Sequence, residues 1–233
     1  WHTGSASITA DGQVHTATLA AVIGDPDLGA AIWTTDAWGS STVVSLPSAP
    51  FASGGAWSDP SVLVFVPNGL STSAPLNGIT HLHGWYAEIE RTAESQSLLE
   101  QASLSGRDAV LMVPQGPVNA ASGDFGQLAD PGGHAALATD VLALLYRDGW
   151  YAGAELGAQV LTVHSGGYDG TADILNAGGL PVRAANLFDA MYGRQSTFDD
   201  YAHSGGLLRS VYTTSGGTDA VNIDLRGDLR SSG

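Results

Sequence analysis

One serine of this chain stands where a predicted strand turns directly into a predicted helix. The β-branched run over residues 160–163 predicts a buried strand, His164-Ser165-Gly166-Gly167 follows it, and a segment able to form a helix comes next. A turn of this kind exposes the serine hydroxyl above the sheet and aims the next backbone N–H at the position of an oxyanion. The usual pattern, G-x-S-x-G, is matched only in part because Val163 replaces its first glycine. The spacing therefore predicts Ser165 as a nucleophile.

The same four residue types occur a second time, at His203-Ser204-Gly205-Gly206. There they follow the polar run of residues 198–202 and precede a predicted strand over residues 207–212. That order, from loop to strand, is the wrong one for exposing a nucleophile. The tetrapeptide alone carries little information, and its surroundings favour Ser165 as a nucleophile over the alternative of a chance loop.

The composition limits the class of protein and its partners. The chain has 233 residues, enough for one large domain with or without a short appendage, a net charge of −15, eight basic residues that are all arginine, and no cysteine. Such an acidic surface repels nucleic acid and anionic membranes, so neither is expected as a partner. No apolar run approaches the roughly 20 residues that span a bilayer. The absence of cysteine excludes disulfides, thiolate metal sites and a cysteine nucleophile.

No metal and no cofactor is predicted. His81 and His83 share one face of a predicted strand, but no third ligand accompanies them. The acidic run of residues 219–224 lacks the spacing and the central glycine of a calcium-binding EF-hand loop. The chain begins at Trp1 without a visible signal peptide, and we interpret it as a mature or trimmed product that is secreted or held in the cell envelope.

Two patterns of hydrophobic residues divide the chain into residues 1–60 and 61–233. The first part predicts a β-rich N-terminal extension, with a hairpin around a D-G turn, that packs on the main sheet or extends it. The second part alternates strands with helices, which predicts an α/β fold with a mostly parallel central sheet flanked by helices and an antiparallel N-terminal extension. The predicted strands are 31–35, 41–45, 62–66, 78–83, 108–114, 160–163, 182–189 and 208–213, and the predicted helices are 87–101, 134–146 and 168–176.

Chemically suggestive residues follow the carboxyl ends of these strands. His83-Gly84 closes one strand, Pro114-Gln115-Gly116 closes another, Ser165 follows the next, and Asp189 ends the one after that. Ligand sites of parallel sheets form at the carboxyl ends of the strands. We therefore expect these four segments to meet at one edge of the sheet.

With these elements the chain resembles the α/β-hydrolase superfamily over about residues 62–214. The resemblance rests on His83-Gly84-Trp85-Tyr86 at a strand end, on the segment around Ser165, and on a later strand that ends in Asp189. It implies that Ser165 is the nucleophile and that Asp189 is the acid that orients the catalytic histidine. The oxyanion donors would be the N–H of Gly166 and that of Trp85 or Tyr86. His83 lies in the same loop and is a further candidate for the oxyanion or substrate-binding part of the site. For this residue a buried histidine that hydrogen-bonds neighbouring backbone is preferred over direct catalysis.

The family places its histidine after the last strand, and no histidine follows Tyr212 in this chain. Three interpretations stay open. The chain lacks its final strand and its base, or His203 takes the role of the base, or the protein binds ligands in the same cleft without catalysis. His164, next to the nucleophile, is expected to point away from it, and His134 is expected at the surface or as a helix cap.

The sequence therefore predicts a serine hydrolase that cleaves an ester or amide bond of a small molecule or polymer through an acyl-enzyme on Ser165. The alternative is a non-catalytic domain of the same type that serves binding or assembly. Three aromatic residues are candidates for lining the cleft, namely Trp85, Tyr86 and Tyr192. The oligomeric state is not predicted.

Overall fold

The computed structural model describes residues 5–10, 13–18, 28, 30–46 and 56–231, the first two ranges as backbone only. Its strands are β1 Ser5–Ala10, β2 Gln13–Thr18, β3 Thr34–Thr35, β4 Gly39–Ser45, β5 Ser61–Pro67, β6 Leu76–Leu82, β7 Val110–Pro114, β8 Leu156–His164, β9 Val182–Phe188 and β10 Leu207–Val211. The continuous apolar run of β5 and that of β7 are buried along nearly their whole length, as strands covered on both faces require.

Eight of these strands form the main sheet, in the spatial order β10-β9-β8-β6-β7-β5-β4-β3. The five strands β6 to β10 run parallel, whereas β3–β4, β4–β5 and β5–β7 are antiparallel pairs. A mostly parallel sheet with antiparallel strands at its N-terminal start confirms the predicted fold class. The hairpin β1–β2 is a separate two-stranded sheet whose D-G turn lies outside the described residues, and its first strand approaches β8.

Helices lie on both faces of the sheet. In the described chain they are α1 Ile89–Ser95, α2 Leu98–Leu104, α3 Gly133–Arg147, α4 Tyr168–Ala177, α5 Gln195–His203 and α6 Asp219–Ser231. The prediction of one helix over residues 87–101 is wrong, because Ser97 adopts a left-handed conformation with a φ of 49° and separates α1 from α2. None of the described helices combines the length and the hydropathy that crossing a bilayer requires.

The two faces of the sheet are covered unequally. On one face Leu161, Val163 and Leu187 pack in a large apolar cluster with the helices α3 to α6. The opposite face is covered over β5 and β7, where a smaller cluster joins the sheet to α1 and α2. Because side chains alternate along a strand, His164 faces this second side at the end of β8, and it is only half-buried there. The uncovered part of the sheet therefore adjoins the serine turn.

Candidate active site

Ser165 begins a tight turn that joins β8 to α4. His164 is still extended, with φ of −115° and ψ of 134°, whereas Ser165 has a φ of 51° and opens a short 3-10 turn that runs to Gly167. A residue other than glycine is uncommon in this left-handed region, and such strain persists only where the surroundings fix it. The structure thus has the strand, turn and helix at the predicted place. Ser165 is half-buried, and its hydroxyl has no hydrogen-bond partner among the described residues.

Close packing explains the small residues around this turn. A Cβ on Gly84 would lie 3.0 Å from the Cβ of Ser165, and a Cβ on Gly166 would overlap the indole of Trp85. A Cβ on Gly167 would lie 2.6 Å from the carbonyl oxygen of His83. The loop after β6 and the serine turn therefore touch, and side chains at these positions would push them apart.

The structure distinguishes between the two candidates for the second oxyanion donor. The N–H of Tyr86 donates to the carbonyl of Ala120 at 2.9 Å and is engaged. The N–H of Trp85 has no acceptor within the described part of the chain. The N–H of Gly166 belongs to the first turn before α4, where backbone donors have no acceptor inside the helix. Two N–H groups, those of Gly166 and Trp85, are thus available on loops that contact each other.

His83 holds the loop after β6 from inside the protein. It is buried, and its ring nitrogens lie next to the carbonyl oxygens of Gly84 and Gln115. The side chain of Gln115 in turn accepts the N–H of Ile89 at 3.1 Å and donates to the carbonyl of Ala87 at 3.2 Å. This agrees with the interpretation of His83 as a buried, backbone-bonded histidine that positions the loop.

Asp189 follows β9 at the same edge of the sheet as Ser165. Phe188 pairs with His164 in the parallel ladder, so the residue after each of them, Asp189 and Ser165, leaves neighbouring strands side by side. Asp189 also has a positive φ, 44°. The structure therefore brings these two predicted site residues to one edge.

The carboxylate of Asp189 is anchored by the loop after β10. It accepts the N–H of Thr213 at 2.8 Å, the hydroxyl of Thr213 at 3.0 Å and the hydroxyl of Thr218 at 3.0 Å. The Thr213 N–H, then these hydroxyls and the nearby His164, lower the pKa of Asp189 below its ordinary value. Asp189 is therefore a charged group held in one orientation.

His203 is far from this edge. It ends α5, which leads into the amino end of β10, and Leu207 at that end pairs with Ala184 near the start of β9. At about 3.3 Å per strand residue, His203 lies on the order of 20 Å from Ser165. Its Nδ1 hydrogen-bonds the carbonyl of Asp199 at 2.9 Å. The structure does not bring His203 to Ser165, because a helix that precedes a parallel strand ends at the opposite edge of the sheet.

The remaining described histidines have different surroundings. His134 is buried against Thr80, at 3.0 Å, and its burial lowers its pKa to about 4, so the expected surface position is wrong. His81 is buried beside Thr162, at 2.9 Å, and its burial, with His83 and His164 nearby, lowers its pKa to about 3.

Within the described residues no three acidic or histidine side chains come together in a way that could hold a metal ion.

Two grooves adjoin the serine turn. The first has a volume of about 250 Å³ and is lined by Ser165, Trp85, Tyr86 and part of α1. The second has a volume of about 630 Å³, lies between α2 and the uncovered part of the sheet, and is mostly apolar. His164 lines both grooves. Tyr192, expected in the cleft, lines neither and donates its hydroxyl to Gly216 at 3.0 Å.

Comparison with solved structures finds proteins described as esterases and serine hydrolases. LipA, a rice cell wall degrading esterase from Xanthomonas oryzae, is 13% identical with a TM-score of 0.43, and the match covers 86% of this chain and 52% of LipA. FphF, a fluorophosphonate-binding serine hydrolase of Staphylococcus aureus, is 13% identical with a TM-score of 0.48. This match covers 86% of this chain and 88% of FphF. An S-formylglutathione hydrolase from Agrobacterium tumefaciens is 12% identical with a TM-score of 0.49. This match covers 87% of this chain and 99% of the hydrolase.

The chain thus spans about half the length of LipA. No protein-family model matches the sequence, and no curated protein is similar to it. With TM-scores this low, the assignment of the fold rests on the topology itself. An antiparallel start, five parallel strands with helices on both faces, and a serine on the tight turn from a parallel strand into a helix together make this an α/β-hydrolase-like fold.

Proposed function

We propose that the protein is a serine hydrolase that cleaves an ester or amide bond through an acyl-enzyme on Ser165. The observation that supports this best is the conformation of Ser165 itself, at a φ of 51° on the turn into α4. The strained turn presents an unbonded hydroxyl to an open groove. Ser97, which separates two helices, also has a positive φ. At Ser165 this conformation occurs on a turn from a parallel strand into a helix, in contact with the loop after β6.

The neighbouring N–H groups supply the electrostatic part of the mechanism. A substrate carbonyl attacked by Ser165 becomes a tetrahedral oxyanion, and we assign the N–H groups of Gly166 and Trp85 as its donors. Each such donor lowers the barrier by roughly 3 kcal/mol. Asp189, charged and fixed by its threonine donors, stabilises the positive charge that develops on a neighbouring imidazole when the serine proton is taken.

The grooves suggest the kind of substrate. The apolar groove beside His164 offers space for an acyl or aryl group, while the open groove beside Trp85 leaves room for an alcohol or amine portion. We propose a small-molecule or polymer ester or amide as substrate, without a metal or cofactor. A secreted or cell-envelope location remains a prediction from the sequence.

Labelling with a fluorophosphonate probe tests this function. The serine oxygen attacks the phosphorus and displaces fluoride, so the probe marks an activated serine covalently. We expect the intact chain to gain one probe mass, on the peptide that contains Ser165, and the variant Ser165→Ala to gain none. Ser204→Ala is the matched control and should be labelled like the wild type. An unlabelled wild-type chain, or equal labelling of Ser165→Ala, would contradict the proposal.

One observation favours the second candidate function, a non-catalytic binding domain. No imidazole of the described residues is hydrogen-bonded to the Ser165 hydroxyl. A serine without a base is a weak nucleophile, and the same grooves would then hold a ligand without reacting with it. A wild-type chain that resists the probe and all ester substrates would support this candidate.

A further inference from the structure

One histidine differs from all the others that the structure describes. Four of the five histidines with described side chains have a hydrogen-bonded ring, namely His81, His83, His134 and His203. His164 alone among these five has two ring nitrogens without a hydrogen-bond partner. It is also half-buried rather than enclosed, so its ring nitrogens are open to a reactant.

His164 and Ser165 meet at the same place in the groove. A Cβ built on Gly84 would lie 3.0 Å from the Cβ of Ser165 and 3.3 Å from Nδ1 of His164. Both residues line the 250 Å³ groove. The ring of His164 therefore borders the groove that Ser165 lines, although a side chain at this position was expected to point away from the serine. The positive φ of Ser165 breaks the alternation of the strand, and this turns its side chain toward the groove that the His164 ring borders.

The charges around His164 suit a base. Asp189 follows the neighbouring strand and acts on His164 electrostatically, which favours the imidazolium. Burial opposes this and, as the larger effect, lowers the pKa of His164 below its ordinary value of 6.5. Other titratable groups facing it are His81 on β6, and Glu88 and Arg91 at the groove. His164 is thus neutral at pH 7 and has a carboxylate nearby to stabilise its charged form.

We propose that His164 is the general base for Ser165, an inference that rests on the proposed function. In the first step Ser165 Oγ bonds to the substrate carbonyl carbon, its proton passes to an unprotonated nitrogen of His164, and the carbonyl electron pair moves to oxygen. In the second step the oxyanion re-forms the carbonyl, the bond to the leaving group breaks, and the imidazolium protonates the departing alcohol or amine. Water then repeats both steps, losing its proton to His164, and releases the acid and Ser165.

The competing histidines lack the necessary position. His203 stands at the opposite edge of the sheet, bonded to Asp199. His83 is enclosed by the carbonyls of Gly84 and Gln115, and His134 by the core beneath β6. A base must come within hydrogen-bond reach of the proton that it takes. Among the described histidines, only His164 lines the same groove as Ser165.

The test compares probe-labelling rates of His164→Ala and the matched control His203→Ala. We expect His164→Ala to react at least 100-fold more slowly, as loss of a general base requires, and His203→Ala to react within twofold of the wild type. Added imidazole should restore part of the rate of His164→Ala, an effect that repair of packing alone would not produce. Equal rates of His164→Ala and wild type would overturn the inference and leave the proposed function intact.

A second measurement applies even if His164→Ala fails to fold. The labelling rate of the wild type should rise with pH and level off, with its inflection below pH 6.5, because only unprotonated His164 accepts a proton. A rate that shows no inflection below pH 6.5 would contradict His164 as the base. A wild-type chain that is not labelled at any pH would overturn the proposed function and this inference with it.

Discussion

The same tetrapeptide, His-Ser-Gly-Gly, forms two different turns in this molecule. At residues 164–167 it leads from β8 into α4, and the positive φ of 51° falls on Ser165. At residues 203–206 it leads from α5 into β10, where Ser204 has a φ of −74° and the positive φ of 93° falls on Gly205. Identical residues therefore place the left-handed conformation on the serine in one turn and on the glycine in the other.

The preceding element accounts for the difference. The turn at 203–206 ends a helix, so its N–H groups are taken by the last helical carbonyls, with Gly205 donating to Ala202 and Gly206 to Tyr201. The turn at 164–167 begins a helix, and the first N–H groups of a helix have no acceptor inside it. Only the turn at 164–167 therefore leaves N–H groups free to donate to an oxyanion. Direction along the chain, rather than residue type, makes one of the two serines a candidate nucleophile.

The largest expected contrast concerns the carboxylate beside each turn. Asp189 lies near His164, and a carboxylate oxygen of Asp199 lies 3.4 Å from Nδ1 of His203. Asp189→Asn removes the charge that stabilises the imidazolium of the proposed base, and we expect labelling of Ser165 to slow by about 100-fold or more. Asp199→Asn should leave labelling within twofold of the wild type. Equal labelling rates for Asp189→Asn and Asp199→Asn would show that Asp189 has no special role in the reaction of Ser165.

Much of the fold could be predicted because it depends on local patterns. The continuous apolar runs of β5 and β7 and the β-branched run of β8 identify buried strands without reference to the rest of the chain. Helix α6 could not be recognised as readily. Most of its residues are polar and exposed, and only Asn222 and Leu225 are buried. Its spacing of Val221, Leu225 and Leu229 was the available signal.

The site was only partly predictable, since it depends on which edge of the sheet each segment reaches. Residues that directly follow parallel strands, such as Ser165 and Asp189, meet at one edge for topological reasons. His203 is close to Asp189 in sequence, but an intervening helix carries it to the opposite edge. The position of His164 depends on the backbone angles of Ser165, which no spacing rule supplies.

The next contrast concerns the glycines of the two turns. Gly167 has an ordinary φ of −68°, but an added Cβ would lie 2.6 Å from the His83 carbonyl and 2.9 Å from the Leu82 carbonyl, both of them backbone atoms. We expect Gly167→Ala to lower the free energy of unfolding by about 3 kcal/mol through overpacking. Gly205→Ala meets no atom within 4 Å and should cost only about 1 kcal/mol, from its positive φ. Urea denaturation measures both, and a larger loss for Gly205→Ala would contradict the packing described for the serine turn.

The smallest expected contrast is between the two serines, whose replacement by glycine should change the free energy of unfolding in opposite directions. Ser165 occupies the left-handed region, where glycine is free of the steric cost that a Cβ carries, so Ser165→Gly should raise the free energy of unfolding by about 0.5–1 kcal/mol. Ser204 is the residue after the last turn of α5, with an ordinary φ of −74°, and its hydroxyl donates to the Tyr201 carbonyl at 2.8 Å. Ser204→Gly removes that bond and increases the freedom of the unfolded chain, so it should lower the free energy of unfolding by about 0.5–1 kcal/mol.

If thermal or urea unfolding shows both variants to be destabilised, then Ser165 is not strained, and the chief support for its role as a nucleophile is lost. If the signs are opposite and Ser165→Gly also loses its reaction with the probe, the chain has kept a serine there at a cost in stability, as expected of a residue retained for its hydroxyl.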